Sequence, residues 1–211
     1  MADYSAWDEI LKGGLHAEVE EALKTLTDKS VLYDVGGNVG SFTDMILQKL
    51  PDIQVFIFEP IKVYYDYITE RFANKPNVKA FNCALIESNR DLTISKSSEN
   101  LGYNTISEIY SYGEQENIVG RSLSDLVIEE GLPYPDLIKV DIEQSEYLFV
   151  EGCKELFKKH TPSIIIMEIG FIPGQAMWEK EKEMIEYIFS VGYGRYDYEN
   201  INTTYNAVFR K

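Results

Sequence analysis

A glycine-rich turn set between a short apolar strand and a helix constrains this chain more than any other feature. Ser30-Val-Leu-Tyr-Asp-Val35 runs directly into Gly36-Gly37-Asn38-Val39-Gly40, and helical spacing follows at Phe42, Met45, Ile46 and Leu50. Glycines let the main chain turn tightly and approach a neighbour or ligand closely. A strand that feeds a helix through such a turn opens a βαβ unit. The pattern repeats: Pro51 stops the helix, Ile53–Phe58 reads as a second strand, Val63–Phe72 as a helix and Val78–Leu85 as a third strand. Strands alternating with helices imply right-handed crossovers and a parallel sheet.

The remainder extends this plan. Residues 6–26 carry Leu11, Leu15, Val19 and Leu23 at four-residue steps, so 1–28 reads as an N-terminal helix. Residues 86–120 are less regular, rich in Tyr, with room for two short strands; they read as an insertion over the sheet's edge or mouth. Alternation then resumes. Ser122 caps a helix that Gly131 ends, Asp136–Asp141 is a strand, Ser145–His160 a helix and Ser163–Ile169 a buried strand. A charged helix spans about 177–190, and Tyr196–Tyr198 with Tyr205–Arg210 is expected to close the chain as a hairpin. The 211 residues are expected to form a single domain.

Charge and cysteine usage narrow the function classes. Lys plus Arg number 20 against 35 Asp plus Glu, a net charge of −15. Such a surface repels phosphate backbones and anionic bilayers, so neither nucleic acid nor membrane is the expected partner. No basic, apolar leader opens the sequence, and Ser163–Met167, the longest dense apolar run, is too short to span a bilayer. Two cysteines and two histidines do not make a recognisable zinc site. Cys83 and Cys153 read as buried free thiols, and a cytoplasmic setting is expected.

Three details give the glycine turn its chemistry. Asp34 ends the first strand, where an anion would repel a pyrophosphate but suit a cationic amine. The spacing Gly-x-Asn-x-Gly differs from the Gly-x-Gly-x-x-Gly of dinucleotide folds. Glu59 ends the next strand, 19 residues after Gly40, where a carboxylate can accept both hydroxyls of a ribose. An amine-binding Asp, a close-approach loop and a ribose-binding Glu together describe S-adenosylmethionine. A branched side chain at Gly36 is expected to fill the space where backbone meets ligand. Loss of the strand-end carboxylate Glu59 is expected to leave the fold intact.

The sequence resembles the FkbM-type class I methyltransferases. Asp34-Val-Gly-Gly-Asn-Val-Gly-Ser-Phe-Thr43 is similar to their Asp-Val-Gly-Ala-Asn-x-Gly-x-x-Thr, and Phe58-Glu59-Pro60 to their second motif. Asn82-Cys-Ala-Leu85, Arg121-Ser-Leu-Ser-Asp-Leu126, Leu137-Ile-Lys-Val-Asp-Ile-Glu143 and Met167-Glu168 carry the resemblance on, from about residue 30 to 170. It implies an α/β, Rossmann-like class I methyltransferase fold: a mostly parallel seven-stranded sheet, the last strand antiparallel, with helices on both faces. It implies S-adenosyl-L-methionine held by Asp34, Gly36, Gly37, Asn38, Gly40, Ser41, Phe42, Thr43, Glu59, Pro60, Cys83, Ala84 and Asp141. It also implies O-methylation of a hydroxyl on a sugar or other small metabolite. One position departs: Gln144 stands where the family has glycine, so a positive φ there would require a different loop.

Asp141, Glu143 and Glu168 lie at the carboxyl ends of two central strands, the edge where open α/β sheets bind ligands. Methyl transfer to a hydroxyl needs an aligned nucleophile and a base. Asp141 is the first candidate, followed by Glu143 and Glu168; the three could also hold a divalent cation. Glu146 reads as a helix N-terminal charge favoured by the dipole. Asn104 and Gln144 are the acceptor-side candidates. Two other readings remain open: a non-catalytic binding module, for which Gln144 speaks, and a dinucleotide-dependent oxidoreductase.

Overall fold

The computed structural model describes residues 4–97, 104–106, 113–170, 177–194 and 205–211. Its elements are α1 (Ser5–Leu23), β1 (Val31–Val35), α2 (Ser41–Leu47), β2 (Gln54–Phe58), α3 (Lys62–Arg71), β3 (Val78–Phe81), β4 (Ala84–Leu85) and β5 (Arg90–Lys96). They continue as β6 (Asn104–Thr105), β7 (Glu114–Arg121), α4 (Leu123–Glu130), β8 (Leu137–Val140), α5 (Glu146–Phe157), β9 (Ile164–Ile169), α6 (Trp178–Ser190) and β10 (Tyr205–Arg210).

The main sheet runs β10-β9-β8-β1-β2-β3. Every neighbouring pair is parallel except β10 with β9. Alternation along the strands splits the core into two layers. Tyr33, Val35, Ile138, Val140, Ile165 and Met167 pack under α4, α5 and α6. Leu32, Leu137, Ile164 and Ile166 pack with α1, α2 and α3 on the opposite face. Helices therefore cover both faces, as strands buried on both sides require. No helix among the described residues is long and apolar enough to cross a membrane.

Several expectations are corrected. Six strands, not seven, form the main sheet among the described residues, and Tyr196–Tyr198 lies outside them. Tyr205–Arg210 takes Ile164–Ile169 as its antiparallel partner. Val78–Leu85 is not one strand. It leaves the main sheet at Asn82, whose side-chain amide donates to the carbonyls of Glu59 (3.0 Å) and Pro60 (2.8 Å) in place of a continuing ladder. Ala84–Leu85 instead pairs with Gly120–Arg121 in a second sheet of order β4-β7-β5-β6. The middle segment is thus regular where described, since β5 and β7 pair antiparallel over seven residue pairs. This sheet buries Ile94 and Ile118 with Val39, Ile61, Tyr64, Ala84 and Ile86.

Local signals acted as expected elsewhere. The Ser122 hydroxyl accepts from the Asp125 N–H at 3.2 Å, and Gly131 takes φ +62° to end α4. Both cysteines are free and buried.

The two sheets meet where α5 crosses the end of β4. A Cβ at Gly152 would stand 2.1 Å from the carbonyl oxygen of Ile86, and the Gly152 carbonyl accepts from the Ser124 hydroxyl at 2.7 Å. In an open helix, Gly→Ala gains about 1 kcal/mol. Here Gly152→Ala should instead lose about 1–3 kcal/mol through overpacking, read from urea unfolding by circular dichroism. A more stable Gly152→Ala protein would show that α5 does not seat on Ile86.

Candidate functional site

The carboxyl ends of β1, β2 and β8 open onto a cleft that the second sheet roofs. Gly36, Asn38, Glu59, Pro60, Cys83, Ala84, Asn104, Asp141 and Glu143 all line it, as do the apolar side chains of Val35, Phe58, Ile61, Leu85, Ile94, Ile106 and Ile142. Gly36 takes φ +77°, and a Cβ on it would lie 1.9 Å from the main-chain oxygen of Asp141. The damage expected from a branched side chain at Gly36 is therefore first a clash between two loops, and only then intrusion on a ligand. Gly40, at φ +78°, precedes α2 and packs on Phe72. Gly37 packs on Ile57.

Glu59 is buried, with one carboxylate oxygen accepting from the Asn38 N–H (2.8 Å) and the other from the Ile61 N–H (2.8 Å). Each oxygen keeps lone-pair capacity toward the cleft. The expectation that the fold ignores Glu59 is corrected: truncation would strand two main-chain donors.

Asp34 stands behind the loop and does not line the cleft. It shares the α1–α2 face with Leu32, is fully buried, and accepts from the Thr43 hydroxyl at 2.7 Å. Its Oδ1 has no hydrogen-bond partner. Ser41, Phe42 and Thr43 are likewise buried in α2, Ser41 donating to Asp8 at 2.7 Å. Asp8 also takes both arms of Arg71 (2.9 and 3.0 Å), so α1 is fastened over the loop. Trp7 adds an indole N–H to Asn38 Oδ1 at 3.2 Å.

Asp141, Glu143 and Glu168 converge, each offering a carboxylate oxygen within 4.8 Å of the others. Lys139 is buried beneath them and bonds Asp141 Oδ2 at 3.0 Å. Gln144 adopts φ +71° and Glu143 φ +52°. Both residues thus take the left-handed region that glycine favours, at a strain of about 1–2 kcal/mol per residue, so a positive φ at Gln144 is accommodated in this loop. Gln144 does not line the cleft; Asn104 does, on a strand docked where the Thr105 hydroxyl donates to the Glu143 carbonyl at 2.7 Å. Glu146 is no solvated helix charge: it is buried and accepts from the Ile142 N–H at 3.0 Å, closing the loop.

The domain described as "Methyltransferase FkbM domain" matches residues 34–195, which include the glycine loop, Glu59 and all three carboxylates. The chain belongs to the FkbM methyltransferase family. "Methyltransferase sdnD" of Sordaria araneosa is 24% identical over 165 residues, covering 63% of this chain and 64% of that protein. "Hexuronic acid methyltransferase AglP" of Haloferax volcanii is 26% identical over 153 residues, covering 72% and 61%. Both matches span less than two thirds of the relative's length. Among solved structures, an rRNA methylase from Streptococcus thermophilus aligns at TM-score 0.54 and 10% identity, covering 93% of this chain and 95% of that one. Aeropyrum pernix fibrillarin with natively bound S-adenosyl-L-methionine aligns at TM-score 0.50 and 11% identity, covering 91% and 73%. These likenesses show the class I methyltransferase fold.

The FkbM domain concentrates its unusual electrostatics here. Burial pushes Glu59 up to about 8, partly offset by the two amide donors. Burial, then the charges of Asp141, Glu168 and Glu146, push Glu143 up to about 9. Burial and Asp141 bring Glu168 to about 7, while burial and Glu168 bring Glu146 to about 8. Burial opposes the charge of Lys139, but Asp141, Asp34 and Glu18 outweigh it and hold its pKa above that of a free lysine. Burial raises Cys83 to about 12, so that thiol stays protonated on the cleft wall. Sequence reasoning missed Lys139, whose signal was a lone cation inside an apolar strand. It also missed Ser145, a buried cleft residue with no sequence signal.

These acids have folded-state pKa values above their unfolded ones, so the folded state holds their protons more tightly. That stabilisation is complete below about pH 4 and is lost as pH rises through the folded values of about 7 to 9. The urea midpoint of the ligand-free protein should fall between pH 6 and 9, with a smaller fall in Glu143→Gln. A flat profile would show that the cluster is not buried in this way.

Proposed function

We propose that this protein is an S-adenosylmethionine-dependent methyltransferase that methylates a hydroxyl of a sugar or another small polyol. One observation carries the reading: the cleft that joins the glycine loop to Glu59 also ends on Asp141 and Glu143, two of the three clustered carboxylates. Glu59 has acceptor capacity left for a ribose. Phe58, Ile61, Cys83, Ala84 and Leu85 supply the apolar walls an adenine ring needs. The cofactor bound to the fibrillarin structure supports the choice of ligand, and the name of the Haloferax relative supports a sugar acceptor. The net charge of −15 favours a small acceptor over RNA.

When bound, S-adenosylmethionine supplies an electrophilic methyl on a sulfonium. The chain's own residues supply orientation and a proton acceptor. An acceptor hydroxyl held beside Asp141 would be oriented toward that methyl, and its proton would pass to the carboxylate cluster. Lys139 keeps Asp141 oriented through the 3.0 Å bond. Asp34, fully buried, is assigned an indirect role: through Thr43 and Lys139 it steadies the loop and the ammonium. Gln144 is a weak argument for a non-catalytic module, because its φ of +71° lies in the region glycine favours.

Two variants test the reading. Glu59→Gln replaces one of the two acceptor oxygens with a donor, and should weaken S-adenosylhomocysteine binding by about 1.5–3 kcal/mol, or roughly 10- to 150-fold, in calorimetry. Unchanged affinity would remove the ribose role. Asp141→Asn should lower kcat about 10²- to 10⁴-fold on a genuine acceptor with cofactor affinity little altered. Near-normal kcat would move the proton acceptor to Glu143 or Glu168.

A further inference from the structure

We propose that Asp141, Glu143 and Glu168 bind one hard divalent cation, of the Mg²⁺, Mn²⁺ or Ca²⁺ class, whose remaining positions take oxygen atoms of the acceptor. The second half rests on the methyl-transfer reading; the cation site itself does not.

Geometry comes first. The three carboxylate oxygens lie within 4.8 Å of one another. Ligands on an octahedral ion with bonds of about 2.1 Å stand about 3.0 Å apart in cis and about 4.2 Å in trans, and the longer bonds of Ca²⁺ extend these to about 3.4 and 4.8 Å. A pair at the 4.8 Å bound already matches trans ligands on Ca²⁺, and closing such a pair to cis positions takes about 1.4 Å for Ca²⁺ and about 1.8 Å for Mg²⁺. The donor set is all carboxylate, which suits hard cations and not zinc or copper. Two of the three ligands are carried on paired strands or their immediate ends: Glu168 lies in β9 and Asp141 directly follows β8.

A second feature points to a guest at the same place. Ser145 is 1% exposed and lines the cleft beside Asp141 and Glu143, yet its hydroxyl has no hydrogen-bond partner. It precedes α5 but caps none of its N–H groups. Buried hydroxyls are nearly always paired with protein or an ordered ligand. A cation-bound water or an acceptor hydroxyl would give it that partner.

Charge agrees. Three carboxylates against the one ammonium of Lys139 leave 3 − 1 = 2 negative charges when all are ionised, and Asp34 and Glu18 on the far side of Lys139 add to the excess. One divalent ion cancels those two charges. Bound to it, an acceptor hydroxyl would also lose its proton more readily.

The test uses the full chain with MnCl₂ alone, followed by electron paramagnetic resonance and then by competition with MgCl₂ or CaCl₂. One saturable Mn²⁺ site per chain is expected. Glu143→Gln and Glu168→Gln should each weaken it at least tenfold, while Asp52→Asn, at an exposed position, should leave it unchanged. Should Glu168→Gln fail to fold by circular dichroism, Glu143→Gln decides alone. Absence of saturable binding up to millimolar Mn²⁺, or a site untouched in Glu143→Gln, overturns the proposal. S-adenosylhomocysteine titrated without metal separates the two readings. Its binding in the absence of a Mn²⁺ site would sink the cation site and leave methyl transfer standing. A Mn²⁺ site without cofactor binding would support the cation site and sink the other.

Discussion

The approach of Gly36 to the main-chain carbonyl of Asp141 sets the geometry of everything at the carboxyl edge. β1 and β8 pair in register up to Val35 and Val140, and the next residues meet so closely that a Cβ would stand 1.9 Å from the Asp141 oxygen. Only glycine fits, and only at positive φ. Asp141 is therefore located by backbone contact, independent of what its own side chain does. The glycine loop in turn positions the Asn38 amide on Glu59, so one contact places both ends of the cleft.

Beneath that edge lies a buried ammonium. Lys139 sits opposite Asp34 in the β1–β8 register and reaches up to Asp141, with Glu18 of α1 and Glu168 of β9 close enough to feel its charge. An unpaired lysine here would be strongly disfavoured, so its carboxylates are part of what lets the central strand carry it. The same arrangement ties the N-terminal helix to chemistry: Glu18 accepts from Asn206 of β10 and faces the cluster from outside the sheet.

Much of this was legible. The alternation of elements, the Ser122 and Gly131 boundaries, the strand-end position of Glu59 and the convergence of Asp141, Glu143 and Glu168 follow from residue type and spacing. What escaped has specific causes. Asn82 ends β3 with a side-chain hydrogen bond, which apolar pattern does not register. β7 opens with the polar run Glu114-Gln-Glu-Asn117, so its pairing with β5 was hidden. The place of Asp34 at a strand end suggests a ligand contact. Strand parity puts it on the face of Leu32, behind the loop, and that parity was available in the sequence. Ser145 is set by the fold alone.

The fastening of α1 over the glycine loop has an optical consequence. Trp7 donates its indole N–H to Asn38, a cleft residue, and the chain contains only one other tryptophan, Trp178 in α6, which packs in the core layer on the other face of the sheet. A molecule that displaced the Asn38 side chain would break the Trp7 hydrogen bond and change the polarity around that indole, so tryptophan fluorescence offers a label-free reading of site occupancy.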